Sequence, residues 1–243
     1  MSLSIGTITS HRLRHLPVEH TSKVGRLSTS KDDKGERRGR GKGREEILKA
    51  AKRAFASKGY AGATTSGIAR DAGVTQPLVH HHFGSKEKLW DAVVSSIFQE
   101  LDAYFSESFA QTMHGSTEER LRGMLRAFVR FSGHHPELGR LMTMEAVPRG
   151  EKFERLFETY IRPQNEMLHG VLAAAQAEGV LRADLDLDLA PFVIIGSSIH
   201  LFVVAPLAAK HGIDVDDPET IERYVDTVMG MVFGGILAKP QTS

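Results

Sequence analysis

Cysteine is absent from the 243 residues, which excludes disulfides, thiolate nucleophiles and thiolate metal sites and fits a reducing compartment. The opening residues, MSLSIGTITSHRLRH, lack the apolar run that a secretory signal needs, so the protein is expected to be cytoplasmic. No H-E-x-x-H motif, nucleophile elbow or phosphate-cradling glycine loop occurs. With no recognisable nucleophile, ligand set or phosphate site, neither an enzyme nor a bound cofactor or metal is expected. Strand-like alternation is not sustained anywhere, which predicts an all-α fold.

Charge is present in both signs but unevenly placed. The net charge is only +1, yet residues 1–44 carry 11 basic and 4 acidic side chains, residues 45–90 carry 7 and 4, and residues 91–243 carry 13 and 22. A basic front on an acidic body implies an anionic partner held by the front, nucleic acid or anionic membrane.

Residues 1–43 are polar, rich in Ser, Thr, Gly, Arg and Lys, and without an apolar period, so they read as a disordered basic arm. From Arg44 the pattern changes. Ile47, Leu48, Ala51, Phe55 and Ala56 recur at helical spacing and predict a first helix to Lys58, stopped by Gly59. Thr65 is a natural N-cap for a short second helix, Gly73 permits a sharp turn, and a third helix opens at Thr75 with Pro77 in its first turn. Two short helices joined by a glycine turn and backed by a preceding helix describe a helix-turn-helix, whose second member enters the DNA major groove. Ser85 caps a fourth helix, Ser116 with Glu119 makes a capping box for a fifth, and His135-Pro136-Glu137 opens a sixth. A long seventh from Glu151 to Glu178 should kink at Pro163. An eighth follows Asp188, and a ninth runs from Asp217 to about Leu237. The domains predicted are therefore the arm 1–43, a three-helix head 44–90, and a helical body 91–243.

Three consecutive histidines, His80, His81 and His82, stand in the third helix. Consecutive helical residues lie about 100° apart, so these rings fan out and cannot offer three nitrogens to one ion. They remain as hydrogen-bond donors for phosphate oxygens or base edges, beside Gln76 and Lys86, and at least one of them is expected to pack on a neighbouring helix.

The run FASKGYAGATTSGIARDAGV, followed by Gln76, Pro77 and HHHFGSKEKL, resembles the DNA-binding domain of the tetracycline-repressor (TetR) family of bacterial transcriptional regulators, over about Arg44 to Trp90. The resemblance implies that Thr64 and Thr65 touch backbone phosphate, that Gln76, Pro77 and Leu78 read the major groove, that His80 and His82 hold phosphate, that His81 does either, and that Lys86 anchors the opposite rim. Family members usually have Tyr-His-Tyr-Phe where this chain has His80-His81-His82-Phe83. Histidine keeps a hydrogen bond there, loses reach and becomes protonatable, so DNA affinity is expected to rise as the pH falls.

The stretch LAPFVIIGSSIHLFVVAPLAA, from Leu189 to Ala209, is 21 residues without a formal charge. Its length alone fits a membrane span, but Pro191, Pro206 and its polar centre favour the core of a dimer, and no membrane partner is expected. By resemblance the last two helices form a homodimer interface, for which Gly196, Ser197, Ser198, Gly230, Gly234 and Gly235 are small enough to let helices approach. A ligand pocket would lie within the fourth to seventh helices. Its candidate lining is Phe105, Met124, Phe128, Phe131, Met142, Phe157, Tyr160 and Met167, suited to a mostly apolar ligand, with Arg140, Glu145 and His200 as polar candidates. Ordinary core packing also accounts for each of these. The function expected is a homodimeric repressor released from a palindromic operator by a small apolar effector. A ligand-promoted or activating regulator and a membrane-associated adaptor are the alternatives.

Overall fold

The computed structural model describes residues 32–146 and 150–237, with side chains from residue 43 onward. Its first helix, α1 (Asp32–Gly62), buries Ile47, Ala51, Phe55 and Ala56 of the expected stripe, leaves Leu48 half-buried, and buries Ala50 and Ala54 beside them. It starts twelve residues before the predicted Arg44, so the stretch 32–43, expected to be disordered arm, is helical. That stretch contains no large apolar residue, so no hydrophobic period could announce it, although its Glu, Arg and Lys residues favour helix. The rest of the expected arm lies outside the described residues. Gly59, at φ 65° and ψ 175°, breaks the regular course of α1 where predicted, in a region that a side chain would strain.

Two short helices follow, α2 (Thr65–Asp71) and α3 (Gln76–Phe83), with Gly73 at φ 66° in the turn between them. The cap of α2 is Thr64, not Thr65. Thr64 has extended backbone and its Oγ1 accepts the Gly67 N–H at 3.1 Å, while Thr65 is already helical. With two threonines in a row, sequence alone does not say which leaves the helix. Gly84, at φ 77°, separates α3 from α4 (Lys86–Thr112), which Ser85 caps through the Lys88 N–H.

The body contains α5 (Thr117–His134), α6 (Glu137–Ala146), α7 (Glu151–Leu156), α8 (Arg162–Ala177), α9 (Ala190–Val203), α10 (Ala205–Lys210) and α11 (Pro218–Ile236). Its predicted caps are formed: Ser116 and Glu119 bond reciprocally at the start of α5, and Asp217 accepts the Glu219 and Thr220 N–H groups at the start of α11. The predicted seventh helix is divided. A π-helical turn, Phe157–Ile161, joins α7 to α8, and the Arg162 N–H reaches five residues back to the Phe157 carbonyl. Pro163 brings no N–H to the ladder, and the wider turn absorbs the defect. The 21-residue apolar stretch is also broken, at Val204 (φ −97°, ψ 29°), two residues before Pro206. No helix among the described residues is long and apolar enough to cross a membrane.

One core joins Ile47, Phe55, Ile68, Val79, Phe83 and Trp90 of the head to Ile97, Phe131, Leu141 and Leu156 of the body. A second, built from α5, α8, α9 and α11, centres on Leu125, Val129, Leu172, Val225, Val228 and Phe233. The protein is all-α, with the helix-turn-helix head at one end of a helical body.

Candidate nucleic-acid interface and ligand cavity

Val79 and Phe83 anchor α3 in the head core, which decides what the rest of the helix presents. Gln76, Pro77, His80 and His81 are exposed, and Leu78 and His82 are half-buried. Gln76 Nε2 donates to Thr65 Oγ1 at 3.3 Å, tying the start of α3 to the start of α2. Thr64 is exposed but engaged in its cap. Lys86 lies with its Nζ 4.4 Å from the centre of the Tyr60 ring and 3.4 Å from the Ala61 carbonyl.

The three histidines have separate environments. His80 Nδ1 is 3.1 Å from the Gly84 carbonyl, so a proton on Nδ1 donates there and leaves Nε2 for an outside partner. His81 is exposed, edge-on to His82 at 5.4 Å between ring centres. His82 is turned toward α1. Its Nε2 is buried without a hydrogen-bond partner, close to where a side chain on Gly43 would begin. Burial above all, then the neighbouring His81 and Arg44, hold its pKa below the ordinary imidazole value. Of the three, His82 is the one that packs against the supporting helix.

Polar contacts fasten this head to the body. Glu145, buried on α6, accepts the Tyr60 N–H at 2.8 Å, immediately after the Gly59 break. Lys52 of α1 reaches Glu100 of α4 at 2.5 Å, and His135 Nδ1 lies 3.0 Å from the other oxygen of the same carboxylate. Burial pushes the His135 pKa down, against the pull of Glu100 and Glu137. Lys152 and Arg155 of α7 both donate to Glu87, and Arg155 also pairs with Asp91, at the start of α4. These partners stand 35 to 85 residues apart in the chain, so no local motif could have announced them. Arg140 donates twice to the Phe202 carbonyl, at 3.0 and 3.3 Å, securing α6 to the end of α9.

An apolar cavity of about 90 Å³ lies among α4, α5, α8, α9 and α11. Of the eight apolar candidates, Phe105, Met124, Phe128 and Met167 line it. The other four candidates lie elsewhere. Phe131 is fully buried and stacked on His135, Met142 packs into the head-side core, Tyr160 stacks on Phe98 at 4.8 Å, and Phe157 borders a surface groove with Arg162 and His169. Arg140, Glu145 and His200 do not line the cavity either: the first two serve joints between helices, and His200 is exposed. The wall includes Ile194 and Ile195 of α9 and Val232, Phe233 and Ile236 of α11, helices expected from the sequence to form an interface. Helical spacing marks a side chain as apolar-facing without saying which neighbour it meets. The polar lining consists of Gln164 and Asn165.

On the outer side of α9 and α11, Phe192 is 73% and Met231 77% exposed, with Leu189 and Val193 also open. A side chain built on Gly196, Gly230, Gly234 or Gly235 would meet nothing within 4 Å. Ser198 does not belong to this face. It is fully buried and its Oγ donates to the Ile194 carbonyl one turn back, and Ser197 donates to the same oxygen.

Comparison with known proteins agrees with this geometry. The profile for bacterial regulatory proteins of the tetR family matches residues 47–93, and that for a tetracyclin repressor-like C-terminal domain matches residues 118–232. The HTH-type transcriptional regulator BetI of Rhizobium meliloti is 33% identical over 144 residues, 57% of this chain and 69% of its own. The HTH-type transcriptional repressor KstR2 of Mycobacterium tuberculosis is 30% identical over 149 residues, 60% of this chain and 72% of its own. The solved structure of the ketosteroid transcriptional regulator KstR2 of Mycobacterium tuberculosis superposes with a TM-score of 0.66 at 26% identity, covering 81% of this chain and 95% of that one. The fatty acid degradation regulator FadR from Bacillus halodurans shares the fold, with a TM-score of 0.60 at 18% identity over 79% of this chain and 95% of that one. Head and body are both matched, and the chain belongs to the TetR family of DNA-binding, non-enzymatic transcriptional regulators.

Proposed function

We propose that this regulator is a homodimeric repressor that reads a palindromic operator and leaves it when a small, mostly apolar ligand fills the cavity. The observation that carries the reading is the course of α4. This helix of 27 residues starts at Lys86, directly after the head, and brings Leu101 and Phe105 to the cavity wall. It is a rod of about 40 Å with one end at the DNA-reading helix and its middle at the ligand. A ligand that fits one tilt of α4 better than another shifts the spacing of two heads by its difference in affinity, and a few kcal/mol suffices.

Gln76 is suited to bidentate pairing with adenine, and Pro77 and Leu78 to thymine methyls. Thr64, Thr65, His80, His81 and Lys86 hold backbone phosphate around them, with His82 in a supporting place. The open face of α9 and α11 joins two copies, and the two-fold axis sets two α3 helices on successive major grooves. Repression is favoured over activation by the repressors among the relatives. The place of action is the cytoplasm.

The experiment is selection of genomic DNA fragments on the purified protein, followed by sequencing. Enrichment of a palindrome supports the reading. Broad, salt-sensitive binding without a shared site counts against sequence-specific repression.

A further inference from the structure

Gln164 and Asn165 are the two polar residues of the cavity lining, and the significance of Gln164 rests on the reading of that cavity as the effector site. Its side-chain amide is oriented by a neighbour. Nε2 donates to Asp102 Oδ1 of α4 at 3.2 Å, and a carboxylate accepts hydrogen bonds but does not donate them, so the amide cannot turn its oxygen there. Oε1 is left buried, with no hydrogen-bond partner. The cavity that Gln164 borders is otherwise lined, apart from Asn165, by Leu, Ile, Val, Phe and Met, and none of the lining residues carries a positive charge. Oε1 becomes reachable where the lining yields to a ligand. A buried acceptor without a partner is costly, and a ligand that supplies a donor removes that cost.

We infer that the effector is a neutral, largely apolar molecule with one hydroxyl or N–H group, which donates to Gln164 Oε1. The same geometry selects against an apolar acid. Its carboxylate would meet an acceptor backed by the Asp102 carboxylate, with no cation in the lining to neutralise it. An ether or ester of equal size leaves Oε1 as unpaired as the empty cavity does. Met124 and Met167 line the same space, and their flexible side chains allow a cavity of about 90 Å³ to widen around an alkyl chain.

The test is calorimetric titration of the full chain with 1-octanol, with 1-methoxyheptane, which has the same number of heavy atoms and no donor, and with octanoate. The alcohol is expected to bind about tenfold more tightly than the ether, the size of effect set by one buried acceptor left unpaired, and octanoate more weakly than both. Gln164→Leu should bring alcohol and ether to equal affinity. Asp102→Asn, which frees the amide to turn over, should narrow the preference without loss of folding. Equal binding of alcohol and ether to the parent protein, or a ratio unchanged in Gln164→Leu, overturns the role of Gln164 and leaves the cavity reading standing. Binding of none of the three overturns both.

Discussion

Gln76 and His81 are the exposed side chains of α3 through which specificity and orientation are testable with the least damage to the core, since Val79 and Phe83 hold the helix from the other side. Replacing both by alanine should cost about 1–3 kcal/mol of discrimination for each side chain that reads a base. Titration against operator variants should show it, with secondary structure unchanged; undiminished discrimination would remove Gln76 and His81 from the reading surface. The histidine row predicts two pH effects of opposite sign. In the folded head His82 is held below its ordinary pKa, so as the pH falls the unfolded chain takes up the proton first. The contribution of neutral His82 to stability is thus present above about pH 6.5 and is lost as the pH drops below it. Protonation beside phosphate acts the other way and strengthens DNA binding. Between pH 8 and 6 at fixed salt, operator affinity should rise, while the melting temperature falls further in the parent than in His82→Gln. A flat affinity would refute a phosphate role for His80 and His81. Sequence sufficed to say that the three rings diverge, because helical geometry is local. Which ring turns inward depended on α1 lying against α3, a contact between distant segments.

Among the elements, α6 reports to the head through Glu145. Its carboxylate satisfies the Tyr60 N–H one residue beyond the break at Gly59, and Glu145→Ala should destabilise the protein by about 1 kcal/mol, the low end of the cost of a donor left unpaired, since this one is half-buried. Glu145→Gln keeps an acceptor and should lose less; urea denaturation distinguishes the two, and equal losses would point to packing as the cause. The basic front is the second testable element. If it lies on phosphates, a protein lacking residues 1–40 should show a salt dependence shallower by about one unit of slope for each phosphate no longer neutralised, and an unchanged slope would leave the arm without a part in binding. Helix starts were largely legible, since Ser85, Ser116 and Asp217 cap their helices through their own side chains. Helix interruptions were less so. Pro163 and Pro206 announced trouble, and the chain answers with a π turn before the first and a break at Val204 before the second.

At the scale of the whole molecule, the proposed joining of two copies through the open face of α9 and α11 should be sensitive to charge. Phe192→Glu together with Met231→Glu, both at exposed positions, should give a folded monomer whose operator affinity is lower by a factor on the order of a hundred, the loss expected when two linked heads become one. Sedimentation and operator titration check this, and a dimer that survives the double substitution would place the interface elsewhere. The sequence by itself determined the all-α class, the helix-turn-helix pattern of the head, and the division between a basic front and an acidic body. Each of these rests on local spacing, capping or composition, which the chain carries in its order of residues. Only the tertiary structure decided that the cavity is closed by α9 and α11 as well as α4, α5 and α8, that Phe131 and Tyr160 belong to the core beneath the head, and that Gln164 keeps a buried oxygen free. An apolar side chain looks the same in a sequence whether it meets a neighbour or an empty space, because the difference lies in residues far along the chain that folding brings to its side.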